Sequence, residues 1–337
     1  MTITLSELQD AAQKAFPGDQ LRPARDAGWA LIADMGWLMM PLAEDAGGLG
    51  LGHDAVAAIH FEMGRVLGRA PLIPALLALQ ALAVSETLAD KPGWLERVST
   101  GEYIAISMVP GALSAAGTTL SGMLRAVADV DMASHILAFA PGLAALVPAA
   151  GAGVNVTERP LWDESRRLFD VTLRAHEVAP ELIVAQGPAA DAIAASLHNE
   201  RLLALAADAL GGANATLDMT VEYLKTRRQF DRPLAMFQAL KHRCADLKTR
   251  IAAAEALLWA RAGAPATTAQ LGALKALACE VFRCSAEEAI QLHGGIGLTE
   301  EHNCHLFMKR AALGCSLGGS ADELNEATGR AAIAAIK

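Results

Sequence analysis

Apolar positions recur at helical spacing over most of this chain and switch to short, strand-like runs only in the middle. Three zones follow. Residues 1–100 predict a helical domain with Gly/Pro punctuation. Ser6 with Gln9 loosely marks a capping-box start. Pro41–Gly52 is a glycine-rich loop, and His53–Val66 resumes a helix with Val56, Ile59, His60 and Met63 on one stripe. Residues 101–185 predict a reduced β domain: Tyr103–Val109, His135–Ala140 and Val154–Val156 are short apolar runs between turn residues, and Phe169–Leu173 alternates. Residues 186–337 are helical again, with helices expected over about 192–228, 234–261 and 268–292, and from about 300 onward. Gly211-Gly212 inside the first of these costs about 1 kcal/mol per Gly relative to Ala, which points to close packing or a kink. Pro233 stops a helix, and His293–Gly297 is a tight loop. Four long helices with short links make an antiparallel bundle. The fold class is mainly α with a small β domain.

Composition narrows the class. Ala and Leu dominate the 53% apolar content while aromatics make up 4%, which favours helices over sheets. Acidic side chains outnumber basic ones 37 to 28, for a net charge of −9, and there is no basic block. Nucleic-acid binding is not expected. The N-terminal stretch carries acids and no apolar core of a secretory signal. Runs such as Pro71–Ala83 are too short and Pro-interrupted to span a bilayer. Five cysteines without a C-x-x-C fit a reducing cytoplasm better than a disulfide framework or zinc site. No Glu-x-x-His occurs, so a di-metal bundle site is not expected, although His302 and His305 flank Cys304.

Two segments carry candidate chemistry. Arg227, Arg228 and Arg232 gather where one helix ends and the next begins. They complement a helix dipole or form a fork for a diphosphate. Phe230 and Phe237 offer flat apolar surface nearby. Gly294-Gly295 is either a plain helix-breaking turn or a place where backbone N–H groups approach a phosphate.

Taken together, Tyr223-x3-Arg227-x-Gln229-Phe230 … Phe237-Gln238 and Gln291-x-His293-Gly294-Gly295 resemble the C-terminal signature of the acyl-CoA dehydrogenase family. Pro41–Gly52 is similar to that family's N-terminal glycine-rich stretch. The resemblance implies an N-terminal helical domain, a central β-barrel-like domain and a C-terminal four-helix bundle. It implies FAD held between subunits, α,β-dehydrogenation of an acyl-CoA thioester, and electron transfer to an accepting flavoprotein. Arg227, Gln229, Phe230, Gln238, Gln291, Gly294 and Gly295 match the family's FAD-contacting positions. Where the family has Gly after Phe, this chain has Asp231, which the flanking arginines are expected to neutralise.

Departures from the family pattern matter equally. In Met108–Ala115 the residues Pro110, Gly111, Ala112 and Ser114 survive, and Ser114 is carried over as a substrate contact. The family's Thr and Glu are Met108 and Val109, which lack side-chain hydrogen-bonding groups. The commonest position of the catalytic base falls on Gly318. A second branch has its base in a Glu-Arg-Leu context, as in Glu200-Arg201-Leu202, but ungapped alignment puts Arg201 there. One residue turns a helix by about 100°. Glu200 is the candidate base, and a helix-start or surface acid is the alternative. Glu301, a helix-start acid, ends a segment similar to that of short members acting on steroid side-chain thioesters. Some of those are heteromers in which one subunit carries the base and its partner is degenerate. The resemblance therefore implies either a bulky-acyl-CoA dehydrogenase, homo- or hetero-oligomeric, or a degenerate partner subunit that completes a relative's FAD site.

Overall fold

The computed structural model describes residues 4–109 and 112–335, so Pro110 and Gly111 lie outside the described residues. Helices α1 (Leu5–Ala15), α2 (Arg25–Asp34), α3 (His53–Arg65), α4 (Leu72–Val84) and α5 (Lys91–Ser99) come first. Eight strands follow: β1 (Ile104–Ile106), β2 (Ala112–Ala116), β3 (Thr119–Ala128), β4 (His135–Ala140), β5 (Leu143–Pro148), β6 (Val154–Arg159), β7 (Leu168–Glu177) and β8 (Ile183–Gln186). Helix α6 (Pro188–Thr226), the two-residue strands β9 (Arg228–Gln229) and β10 (Arg232–Pro233), α7 (Gln238–Ala262), α8 (Thr268–His293), α9 (Cys304–Gly314) and α10 (Ala321–Ala334) complete the chain. Two compact units result. One comprises Met1–Pro23, Ala57–Gly68 and Leu202–Lys337, and the other Ala24–Val56 and Arg69–Arg201.

The first unit is helical. Its α1 begins at Thr4 rather than Ser6. Thr4 Oγ1 accepts from the Glu7 N–H, and the Glu7 carboxylate accepts from the Thr4 N–H at 2.8 Å. Helices α7, α9 and α10 pack on α8. The core between them holds Leu210, Ile251, Leu258, Leu274, Phe282 and Phe307, all essentially without solvent exposure. Burial of such side chains contributes about 1.5–3 kcal/mol each. The Gly pair in α6 serves close packing, and the helix runs unbroken past it. A Cβ on Gly211 would collide with the main-chain oxygen of Phe61, and one on Gly212 with the Phe282 ring. The last expected helix is in fact two, α9 and α10. Gly318 and Gly319 adopt φ +72° and +110° between them, where a helix cannot continue. Ser320 then caps α10 with Glu323.

The second unit contains two four-stranded sheets, in the orders β1-β4-β5-β8 and β2-β3-β7-β6. Only the β1–β4 pair is parallel among these described strands. The strands expected at His135–Ala140, Val154–Val156 and Phe169–Leu173 are β4, β6 and part of β7, and Tyr103–Val109 contains β1. A bulge interrupts the β3–β7 ladder after Leu124, where Ala126 takes φ +50°. Asp170 Oδ1 accepts the Ala126 N–H at 3.1 Å. Ser85 Oγ, just after α4, donates to the main-chain oxygen of Val184 in β8 at 2.5 Å.

Candidate functional site

Tyr223, one turn from the end of α6, stacks on His293 at the end of α8, with ring centroids 4.2 Å apart. Its hydroxyl donates to the His293 main-chain oxygen at 3.3 Å. This contact fixes the arginine segment beside the glycine loop, since Arg227 follows Tyr223 by one helical turn and Gly294 follows His293 directly. The two sequence segments are therefore one surface.

The chain then turns back sharply. Strands β9 and β10 pair as a hairpin around Phe230 and Asp231, whose φ values are +51° and +62°. Such a two-residue turn requires positive φ at both positions and ordinarily takes Asn-Gly. The turn presents Phe230 at 84% exposure. Phe237, the N-cap residue of α7, lies edge-on to Phe230 at 6.1 Å, and the Arg232 guanidinium covers its ring at 4.0 Å. Arg227, Gln229, Gln238 and Gln291 are exposed. Arg228 Nη2 donates to the Asp231 main-chain oxygen at 2.7 Å. That bond reaches the Asp231 backbone rather than its carboxylate.

Gly294 has φ +68°, and a Cβ on it or on Gly295 would meet no atom within 4 Å. The loop thus leaves open backbone where a bulky phosphate can approach. Exposed guanidinium, exposed aromatic face and bare glycine backbone fit the ADP half of a flavin dinucleotide.

His293 is the residue that sequence reasoning left without a role. Its Nδ1 lies 2.7 Å from the Ala289 main-chain oxygen, and its buried Nε2 has no hydrogen-bond partner. His302 packs on it at 4.2 Å between centroids. Cys304 Sγ lies 3.1 Å from His302 Nδ1. These three side chains could present donors to one ion, with all ligand atoms within 4.8 Å. Burial pushes both imidazoles below the usual histidine range, so they are neutral at pH 7; His293 stacks on Tyr223, and His302 meets that ring edge-on.

A second feature lies in the other unit. A cavity of about 250 Å³ is walled by Ile106, Val109, Leu124, Leu137, Phe139 and Leu197, with Ser107, His198 and Arg201 as its polar lining. Ser107 Oγ is already engaged, 2.6 Å from the main-chain oxygens of both Val109 and Arg125. Val109 lines this cavity, while Met108 is buried. Ser114 is exposed on β2 and donates to the Ser121 main-chain oxygen at 3.1 Å, and it is not among the lining residues. Glu200 is not among them either. Its carboxylate lies 3.0 Å from His53 Nδ1 at the start of α3. That carboxylate holds the His53 imidazole above the usual histidine range. Gly318 is buried in the link between α9 and α10, which Lys275 Nζ secures by donating to the Gly319 oxygen at 2.6 Å.

A family model described as acyl-CoA dehydrogenase, N-terminal domain, matches residues 5–102, and one described as acyl-CoA dehydrogenase, C-terminal domain, matches residues 190–333. The acyl-CoA dehydrogenase IpdE2 of Mycobacterium tuberculosis is 36% identical over 296 residues, covering 84% of this chain and 79% of its own length. The solved Tcur3481–Tcur3483 steroid ACAD variant superposes with a TM-score of 0.86 at 29% identity, covering 99% of both chains. The ChsE4–ChsE5 complex from Mycobacterium tuberculosis superposes equally well, with a TM-score of 0.86 over 98% of this chain and 97% of that one, and at 24% identity it speaks to the fold.

Proposed function

This chain belongs to the acyl-CoA dehydrogenase family, and from that premise we propose that it takes part in FAD-dependent α,β-dehydrogenation of a bulky acyl-CoA as one subunit of a heteromer. Arg227, Gln229, Phe230, Gln238, Gln291, Gly294 and Gly295 would hold the ADP half of FAD. FAD supplies the acceptor for the β-hydrogen, which leaves as a hydride. The chain's own hairpin supports this reading most. Phe230 is kept at positive φ and 84% exposed, a strained display that a folded monomer has no use for. A subunit interface with a flavin would cover it. The 29% identity to a steroid ACAD favours a steroid-derived acyl group. An electron-accepting flavoprotein would reoxidise the assembly. The described helices include none long and apolar enough to cross a membrane, and the five free thiols suit a reducing compartment, the cytoplasm by default.

The α-proton needs a carboxylate. In this chain Gly318 offers none, and Glu200 is engaged by His53. That pairing favours the second reading, in which this subunit is catalytically degenerate and completes a FAD site whose base sits on a homologous partner. Purification alone and with such a partner separates the cases. We expect a yellow complex with bound FAD and acyl-CoA oxidation only on co-expression. A complex that stays colourless overturns the FAD reading, and full turnover by the isolated chain overturns the degenerate one.

A further inference from the structure

Arg201 is the most buried cation in the second unit's cavity lining, at 9% exposure. Its Nε has no hydrogen-bond partner, and no carboxylate pairs with its guanidinium among the described residues. Desolvation lowers it from the usual arginine range to about 10, and no charge opposes that fall. It is still cationic at neutral pH. An isolated charge removed from water is costly and persists in proteins where something pairs with it. His198, the one other titratable group in the lining, is held below the usual histidine range by burial and by Arg201 itself, so it is neutral at pH 7 and brings no negative charge. The rest of the wall is aliphatic or aromatic apart from Ser107, whose hydroxyl lies 2.6 Å from two main-chain oxygens and spends its one proton on them.

We infer that Arg201 is an anchor for a ligand carboxylate, so that this cavity receives an acyl chain carrying its own acid group. The pairing is a permanent one with a permanent one. A guanidinium that is charged in the resting protein matches a ligand anion charged before any reaction begins, and its planar fork takes two carboxylate oxygens at once. The apolar walls would enclose the methylenes leading to that acid, as small-molecule sites ordinarily combine apolar lining with a single orienting polar group. The inference rests on the acyl-CoA reading only for the class of molecule to which the carboxylate belongs.

The test needs neither flavin nor turnover. Hexanoate and hexanamide, alike in size and differing in charge, are titrated by calorimetry into the whole chain, co-purified with a partner subunit if it has one. Hexanoate should bind at least tenfold more tightly than hexanamide. Arg201→Met should abolish the difference, and Arg201→Lys should retain it to within about threefold. Equal binding of the two probes by the native chain overturns the proposal, and that comparison requires no variant. Discrimination that survives in Arg201→Met overturns it too. Adipoyl-CoA is then compared with hexanoyl-CoA. Preference for adipoyl-CoA supports the proposal together with the acyl-CoA reading. If neither ester binds while hexanoate still discriminates, the carboxylate site stands and the acyl-CoA reading falls.

Discussion

The guanidinium of Arg310 on α9 grips both carboxylate oxygens of Asp208 on α6, at 3.1 and 3.2 Å, inside the helical unit. Arg310 is 3% exposed, and its Nη2 also donates to the Gly68 main-chain oxygen at 3.2 Å. A buried pair of this kind is a poor source of net stability but is expensive to break halfway, because the remaining partner keeps its charge without water. Arg310→Met or Asp208→Asn should therefore cost about 3–5 kcal/mol each in urea unfolding. The double replacement Asp208→Leu with Arg310→Met should recover most of that loss. A single variant within 1 kcal/mol of the parent would show that water reaches the pair.

The Phe230 hairpin makes the opposite prediction for stability and binding. Left-handed backbone costs an L-residue about 1–2 kcal/mol, against about 0.5–1 kcal/mol for the extra unfolded-state freedom of glycine. Phe230→Gly should leave the unfolding free energy unchanged or raise it by up to about 1 kcal/mol. In the assembled protein the same change should weaken flavin retention at least tenfold, read from absorbance after dialysis. Loss of stability with retained flavin would assign Phe230 to the fold.

How much of this was legible in the sequence depends on the length scale of each signal. The motif residues Arg227, Gln229, Phe230, Gln291, Gly294 and Gly295 are read from local spacing, and the Tyr223–His293 stack brings them together. Strand β5 is buried on both faces along Leu143–Val147, so it shows no alternation, and its Ala and Leu content imitates a helix. The break between α9 and α10 hides in a run that also suits a helix until Gly318-Gly319 is reached. Ungapped alignment already marks Arg201 as the residue at one branch's base position, but does not show that it lines a cavity without a partner. Its register along α6 is visible in sequence, but its lack of a partner depends on what β1, β3 and β4 bring opposite it.

Asp129 gives a dependence on pH with a defined sign. It is 2% exposed, and burial lifts its carboxyl from 3.8 to about 6 even though Arg25 Nη1 lies 3.1 Å away. Between those two values the folded protein holds a proton that the unfolded chain has lost. Stability from this group is thus complete below about pH 3.8 and lost as pH rises through about 6. Asp129→Asn removes the slope, and the difference between parent and variant should change by on the order of 3 kcal/mol across that window. Chemical denaturation at half-unit pH steps measures it. A parent-minus-variant difference that is flat with pH would mean that Arg25 keeps the carboxylate ionised throughout.

Gly318 tests whether a base can be restored at the position that the family resemblance marks. Gly318 is buried at φ +72°, so any L-residue there is strained by about 1–2 kcal/mol. Gly318→Ala and Gly318→Glu should both lower the unfolding free energy by at least that amount. Neither should gain acyl-CoA oxidation in an assay of the isolated subunit with an artificial electron acceptor. Turnover by Gly318→Glu would show that the link can re-form around a carboxylate and that the site is otherwise intact.

Glu200 decides between a catalytic and a degenerate subunit. To take a proton it must leave His53, whose imidazole it holds above the usual histidine range at 3.0 Å. That charge-assisted bond is complete below the ordinary histidine value and is released as pH rises through the elevated one. A catalytic Glu200 would therefore gain freedom, and rate, toward alkaline pH, and His53→Ala would shift that gain to lower pH. The structure favours the other outcome, because Glu200 is absent from the cavity lining while its neighbour Arg201 occupies it. In the assembled enzyme Glu200→Gln should keep turnover within twofold and leave the pH–rate profile unmoved. A loss of a thousandfold or more, with His53→Ala displacing the profile, would make Glu200 the base and this chain a catalyst in its own right.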